Sequence, residues 1–401
     1  MTGRSWTVSI LFSASLLGGC DRATGVTVVR DQAGTAGMPD SERNSSSSRG
    51  TVAPPLPTSF VLPEAGPAEE LAGIQYVIFF SIDGLAPRYL TKLVADGELP
   101  TFRRLEAEGA WTHNARCDYT FSVTLPNHTS MFTGRPVSAV EGMPDTTQHG
   151  YTSNSYPAPD ATLHNSGNPA LSYIASAFDV AHDFGLKTCF YAGKDKFVLF
   201  TNSYDEDSGA ADEIGADNGR AKLDVTQIAE GDSPRLFESL LSEMSGEPCN
   251  LAFLHVTDTD PGGHATGWGS AAWLDIVRRV DGWLGRVYSL VTTDDTLRGR
   301  TAILLTADHG GHGYGHSNAL DPYNYAVPFY VWAPGISGGT DLYSLVPDTR
   351  FDPGDTRPSY ADEHQPIRNG DIGNLALDLL HLPAIPGSLM YGMGLSGRAS
   401  R

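Results

Sequence analysis

Three apolar runs, each leading into a carboxylate, constrain this chain more than any other feature of it. Residues 74–82 read Ile74-Gln75-Tyr76-Val77-Ile78-Phe79-Phe80-Ser81-Ile82 and stop at Asp83-Gly84. Residues 251–256 read Leu251-Ala252-Phe253-Leu254-His255-Val256, and Asp258-Thr259-Asp260-Pro261-Gly262-Gly263-His264 follows. Residues 302–305 lead through Thr306-Ala307 into Asp308-His309-Gly310-Gly311-His312-Gly313-Tyr314-Gly315-His316. A strand with no apolar–polar alternation is one covered on both faces. Further strands are expected at 111–117, 187–191 and 327–332, and helices at 89–94, 102–105, 171–184, 234–244, 271–291 and 372–380. Strands alternating with helices imply α/β architecture: a three-layer sandwich whose mostly parallel central sheet is flanked by helices.

Open α/β sheets bind ligands at the carboxyl ends of their strands. Asp83, Asp260, His264, Asp308 and His309 should therefore gather along one edge. Three of the twelve histidines fall within residues 309–316, and carboxylate–imidazole sets suit Zn²⁺ and similar ions. Two ions about 4 Å apart can clamp the attacking and leaving oxygens of a displacement at phosphorus. The chain also offers a hydroxyl, Thr124, in Phe121-Ser122-Val123-Thr124-Leu125-Pro126-Asn127-His128, where Pro126 fits the first turn of a helix. Asp258 and Asp260 lie two apart, and composition alone does not choose between them as the ligand.

The net charge of −20 argues against a nucleic-acid groove lined by cations. An acidic protein still binds anionic substrates where metal ions supply the positive charge. No apolar run beyond the first twenty residues approaches the length of a membrane span. Those first residues combine Arg4, an apolar stretch over 6–17 and Leu17-Gly18-Gly19-Cys20, the layout of an export signal. The last four residues resemble a bacterial lipobox. The expectation is a lipoprotein signal peptide at 1–20, a lipid anchor on Cys20, a flexible Ser/Pro/Gly-rich tether over 21–71 and an exported catalytic domain over 72–401. Cys117, Cys189 and Cys249 show no CxxC spacing; at most one pair could bridge, and they read as buried and inert.

Across about residues 74–395 the ordered motifs resemble those of the alkaline phosphatase superfamily, in its nucleotide pyrophosphatase/phosphodiesterase branch. Thr124-Leu125-Pro126-Asn127-His128 is similar to the branch's Thr-Phe-Pro-Asn-His, which implies that Thr124 is the nucleophile. Asp260-Pro261-Gly262-Gly263-His264 matches Asp-x-x-Gly-His, and Asp308-His309-Gly310 matches Asp-His-Gly. By this resemblance one ion takes Asp260, His264 and His316, and its neighbour takes Asp83, Asp308 and His309, with Thr124 reaching toward it. His312 and His364 rival His316 as the last ligand. His149-Gly150-Tyr151-Thr152-Ser153-Asn154 resembles His-Gly-x-x-x-Asn, which implies that Asn154 donates to a phosphoryl oxygen. Lys194, in a Gly-Lys pair seen in relatives, receives no role. The implied function is an exported hydrolase of small phosphoric esters, diesters or nucleotide pyrophosphate bonds ahead of monoesters. It would use two divalent ions, Zn²⁺ first among them, and a covalent phospho-enzyme. A sulfatase is disfavoured, because Thr124 cannot become a formylglycine and His128 stands where that motif has arginine. A non-catalytic anchored binding protein is disfavoured because every motif residue is intact.

Overall fold

The computed structural model describes residues 71–214, 219–390 and 393–395. The expected signal peptide, its Cys20 anchor and all of the expected tether except Leu71 lie outside the described residues. Eight strands form one sheet: β1 (Tyr76–Ile82), β2 (Ala110–Arg116), β3 (Thr188–Ala192), β4 (Val225–Ile228), β5 (Leu251–Val256), β6 (Thr301–Thr306), β7 (Ala326–Trp332) and β8 (Thr340–Asp341). Their spatial order is β4-β3-β5-β1-β6-β7-β2-β8. Every neighbouring pair is parallel except the two that involve β7. The sheet is thus mostly parallel, as the alternation of runs implied.

The middle strand shows why the runs are continuous. Successive side chains on a strand point to opposite faces. Phe79 packs against Phe132 and Phe178, at ring separations of 6.2 and 6.1 Å, whereas Phe80 packs against Phe237 at 6.0 Å. Phe132 belongs to the helix Thr124–Thr133 and Phe178 to Ala177–Asp183; Phe237 belongs to Ser233–Gly246 on the other side. Each face of β1 therefore needs an apolar residue, and no polar alternation survives. The outer face continues through the 23-residue helix Ala271–Thr293, whose Trp283 meets Phe237 at 5.6 Å.

One sequence-based expectation needs correction, and two features go beyond what the sequence was read for. The helix expected over 171–184 is shorter, Ala177–Asp183, because Ser176 caps it reciprocally with Asp179 and holds the preceding residues extended. The stretch after β5, for which no element was expected, is a helix, Thr259–Thr266, and it carries Asp260 and His264 four apart on one face. Cys189 and Cys249 form the one bridge that the sequence left open, between β3 and the approach to its neighbour β5, with a Cα separation of 5.9 Å, and both are buried as expected. Cys117 is free and buried. Among the described residues no helix is long and apolar enough to cross a membrane.

Candidate active site

Four adjacent strands end side by side, in the order β3, β5, β1, β6. Beyond their carboxyl ends come, in turn, Lys194, Asp260, Asp83 and Asp308. The antiparallel placement of β7 beside β6 matters here. The connection between them starts and finishes at this same edge, so the loop bearing His316 stays at the site instead of crossing the sheet.

The donors then converge. Asp83, Asp308 and His309 offer ligand atoms within 4.8 Å of one another, as do Asp260, His309 and His316. The His309 and His316 rings stack at 3.6 Å, with 6° between their planes. His264 joins through Asp260: its Nε2 lies 3.3 Å from Asp260 Oδ1, and its side chain is 46% exposed. The structure thus brings six of the sequence-derived ligands into one cluster, with His309 at the junction of the two groups. Of the rival residues, His312 is exposed and bonded to Asp321, and His364 is exposed and packed on Phe351. Asp258 lies in neither group of donors.

Hydrogen bonding decides which atoms face inward. His309 Nδ1 donates to the Gly310 carbonyl (2.8 Å), His316 Nδ1 to the Ser122 carbonyl (2.7 Å) and His264 Nδ1 to the Tyr314 carbonyl (2.8 Å). Each ring therefore keeps an Nε2 lone pair for the cluster, the tautomers following from these partners. His309 Nε2 faces Asp83 Oδ1 at 3.4 Å and Asp308 Oδ2 at 3.3 Å; His316 Nε2 faces Asp260 Oδ1 at 3.4 Å. Asp83 Oδ1, Asp260 Oδ1, Asp308 Oδ2 and His309 Nε2 are buried without a hydrogen-bond partner. Buried polar atoms crowded together without partners are costly, and a cation among them satisfies them all. The donor set fits divalent metal ions on that ground.

Charge points the same way. Burial acts to raise the Asp83 carboxyl, yet Lys194 and His255 hold it well below the usual carboxylate range. Burial, then the adjacent Asp83 charge, pushes the Asp308 carboxyl well above that range. Burial keeps His309 and His316 below the ordinary imidazole value, so both are ready as neutral ligands.

Thr124 begins the helix Thr124–Thr133, with Val123 as an extended N-cap. The helix start is tied to the cluster on two sides. Ser122 Oγ donates to the His316 carbonyl while His316 answers to Ser122, and His128, one turn along, lies 3.8 Å from Asp308 Oδ2. Asn154 Oδ1 accepts from the Leu125 N–H and from Lys196 Nζ, both at 2.9 Å. Its Oδ1 being occupied, the amide NH₂ is the end left to a ligand. Pro126 has no N–H and Leu125's is taken by Asn154, which leaves Thr124's own N–H at the start of this first turn as the donor available to a ligand. The loop carrying Asn154 is pinned by buried His149, which accepts from the Tyr151 N–H (3.1 Å) and meets Ser130 Oγ at 3.2 Å. Burial drives the His149 pKa down to about 3, which keeps this tie neutral.

Two neighbours of the cluster went unassigned by sequence. His255, buried on β5, accepts from the Gly193 N–H (3.3 Å) and donates from Nε2 to Asp83 Oδ2 (2.9 Å). Its signal was present: it is the lone polar side chain in an otherwise apolar run. Lys194 Nζ lies 2.6 Å from Asp83 Oδ2 and 2.7 Å from Asp260 Oδ2.

Residues 77–325 match the family model for type I phosphodiesterase / nucleotide pyrophosphatase. Among curated proteins, GPI ethanolamine phosphate transferase 1 of Mus musculus is 29% identical over 160 residues, 38% of this chain but only 16% of the transferase. The human protein of that name is 29% identical over 148 residues, 34% of this chain and 15% of its own length. Among solved structures, murine ectonucleotide pyrophosphatase / phosphodiesterase 5, an inactive variant in complex with AMP, aligns at a TM-score of 0.53 and 13% identity over 80% of this chain and 99% of its own. The 2-O GAG sulfatase BT1596 aligns at 0.52 and 12% identity, over 82% and 75%. At such identities the structural likeness is one of fold. The family match, covering well over half of the chain, adds what fold alone does not: the chain belongs to the type I phosphodiesterase / nucleotide pyrophosphatase family, enzymes of the phosphoester-hydrolase type.

Proposed function

We propose that this protein hydrolyses small phosphodiesters or nucleotide pyrophosphate bonds, with Thr124 as nucleophile beside two divalent ions. The observation that carries this is the set of four buried, unpartnered acceptors next to the start of the Thr124 helix. Asp83, Asp308 and His309 would hold one ion, and Asp260, His264 and His316 the other. Imidazole and carboxylate donors favour Zn²⁺. Such ions polarise a phosphoryl oxygen and favour a hydroxyl nucleophile at neutral pH.

The chain's own groups would do the rest. The Thr124 hydroxyl would give its proton to solvent and bond to phosphorus as the bond to the leaving oxygen breaks, and the departing oxygen would take a proton from solvent. The Asn154 amide and the Thr124 N–H, at the positive end of a helix, would donate to phosphoryl oxygens as charge builds. Water would then attack the threonyl phosphate ester and return the hydroxyl. Export through a Cys20 lipid anchor is part of the same proposal. Leu17-Gly18-Gly19-Cys20 supports it, and so does a disulfide, which persists in oxidising compartments.

The match to ethanolamine phosphate transferases favours a second reading, in which an alcohol replaces water in the second step. One experiment separates the readings. The purified 401-residue chain, loaded with Zn²⁺, is given bis-(p-nitrophenyl) phosphate or p-nitrophenyl phosphate, with and without ethanolamine. Faster turnover of the diester, with unesterified nitrophenyl phosphate as product, is expected. Faster turnover of the monoester would overturn the diester preference, and a product esterified to ethanolamine would favour transfer.

A further inference from the structure

We propose that Lys194 is a positioning residue, whose ammonium grips one oxygen of Asp83 and one of Asp260 so that each carboxylate offers only its other oxygen to an ion. The proposal rests on the two-ion reading above. All three acidic ligands are divided in the same way. Asp308 Oδ1 accepts from the Gly84 and His309 N–H groups (3.0 and 2.9 Å), and its Oδ2 is free. Asp83 Oδ2 is held by His255 and Lys194, and its Oδ1 is free. Asp260 Oδ2 is held by Lys194 alone, and its Oδ1 is free.

Lys194 differs from the other holders in bridging the two groups of donors. Asp83 belongs to one group and Asp260 to the other. The strand order makes the bridge possible. β5 lies between β3 and β1, so a long side chain leaving the end of β3 passes Asp260 and reaches Asp83. Its side chain is 12% exposed, which keeps water from competing. The ammonium does not stand in an ion's place, because the oxygens it touches are not those that face His309 and His316. A carboxylate released from this grip could rotate or chelate with both oxygens, and the spacing of the two ions would change.

The sign of the effect makes the idea testable. By charge alone, an ammonium repels neighbouring dications, so its removal would tighten ion binding. By position, its removal loosens the ligands, and loss of such an outer partner costs about 10–100-fold in metal affinity. Zn²⁺ affinity and stoichiometry would be measured by chelator competition on the full chain, together with the visible spectrum of the Co²⁺ form. Wild type, Lys194→Gln and Lys194→Met would be compared; glutamine keeps a neutral donor and should fold if the methionine variant does not. Expected are two ions in wild type, affinity falling about 10–100-fold in Lys194→Met and less in Lys194→Gln, and an altered Co²⁺ spectrum. Either variant binding ions as tightly as wild type, or more tightly, would overturn the assignment. A wild type that holds fewer than two ions would overturn the two-ion reading itself, and this proposal with it.

Discussion

Asn154 shows how neighbours orient a single side chain. Its Oδ1 is fixed by the Leu125 N–H and by Lys196, which turns its NH₂ outward as a ready-made donor. Asn154→Ala should lower kcat about 10²–10³-fold, the cost of one such donor, and leave the metal content unchanged. Steady-state kinetics with metal analysis checks this; a change confined to KM would contradict it. Asp83, Asp308 and His309 could be marked in the sequence by residue type and position after an apolar run, whereas Thr124, and Asp260 ahead of Asp258, were singled out only through family resemblance. His316 could be preferred over His312 and His364 only through family resemblance. His255 and Lys194 were not legible as partners of Asp83. Their contact depends on β3, β5 and β1 being neighbours, and no local pattern records strand order.

Two motifs owe their glycines to one tryptophan. Trp268 Nε1 donates to the Gly84 carbonyl at 2.8 Å, and its ring lies between the ligand helix and the loop after β6. A Cβ on Gly263 would come within 2.4 Å of that ring, and one on Gly311 within 2.1 Å. Gly263→Ala should therefore cost about 1–3 kcal/mol, as overpacking does, and weaken ion binding by shifting Asp260 and His264. Denaturant melts and ion titration test both parts, and an unchanged affinity would show that the helix tolerates the shift. The long buried strands were readable as continuous runs. β4 and β8 were not, being short and partly exposed, with no run to mark them. The helix Thr259–Thr266 was hidden because Pro261-Gly262-Gly263 reads as a turn; its helicity comes from packing.

At the scale of the molecule, a −20 chain buries three carboxylates at the edge of its sheet, two of them in contact with Lys194. Ions that bind only the folded state add stability, about 2.7 kcal/mol per site at a hundredfold excess over Kd. Chelation should lower Tm, and added Zn²⁺ should restore it; a Tm indifferent to chelator would contradict the ion site. The Cys189–Cys249 bridge closes a separation of 60 residues. Replacing both cysteines by alanine should cost about 2–4 kcal/mol, read from denaturant midpoints, without changing the ion count. The layered architecture was legible from the alternation of runs and helices. The reversal of β7 was not, although it is what keeps the His316 loop at the site.

The most direct measurement is a search for the covalent intermediate. The full chain, loaded with Zn²⁺, is mixed with a phosphodiester, quenched in acid within milliseconds, digested and analysed by mass spectrometry, with Thr124→Ala treated in parallel. Expected is a phosphoester adduct on the peptide that contains Thr124, absent from the variant, whose turnover falls at least about 10³-fold. An adduct on another residue, or a variant that retains wild-type turnover, would contradict Thr124 as the nucleophile.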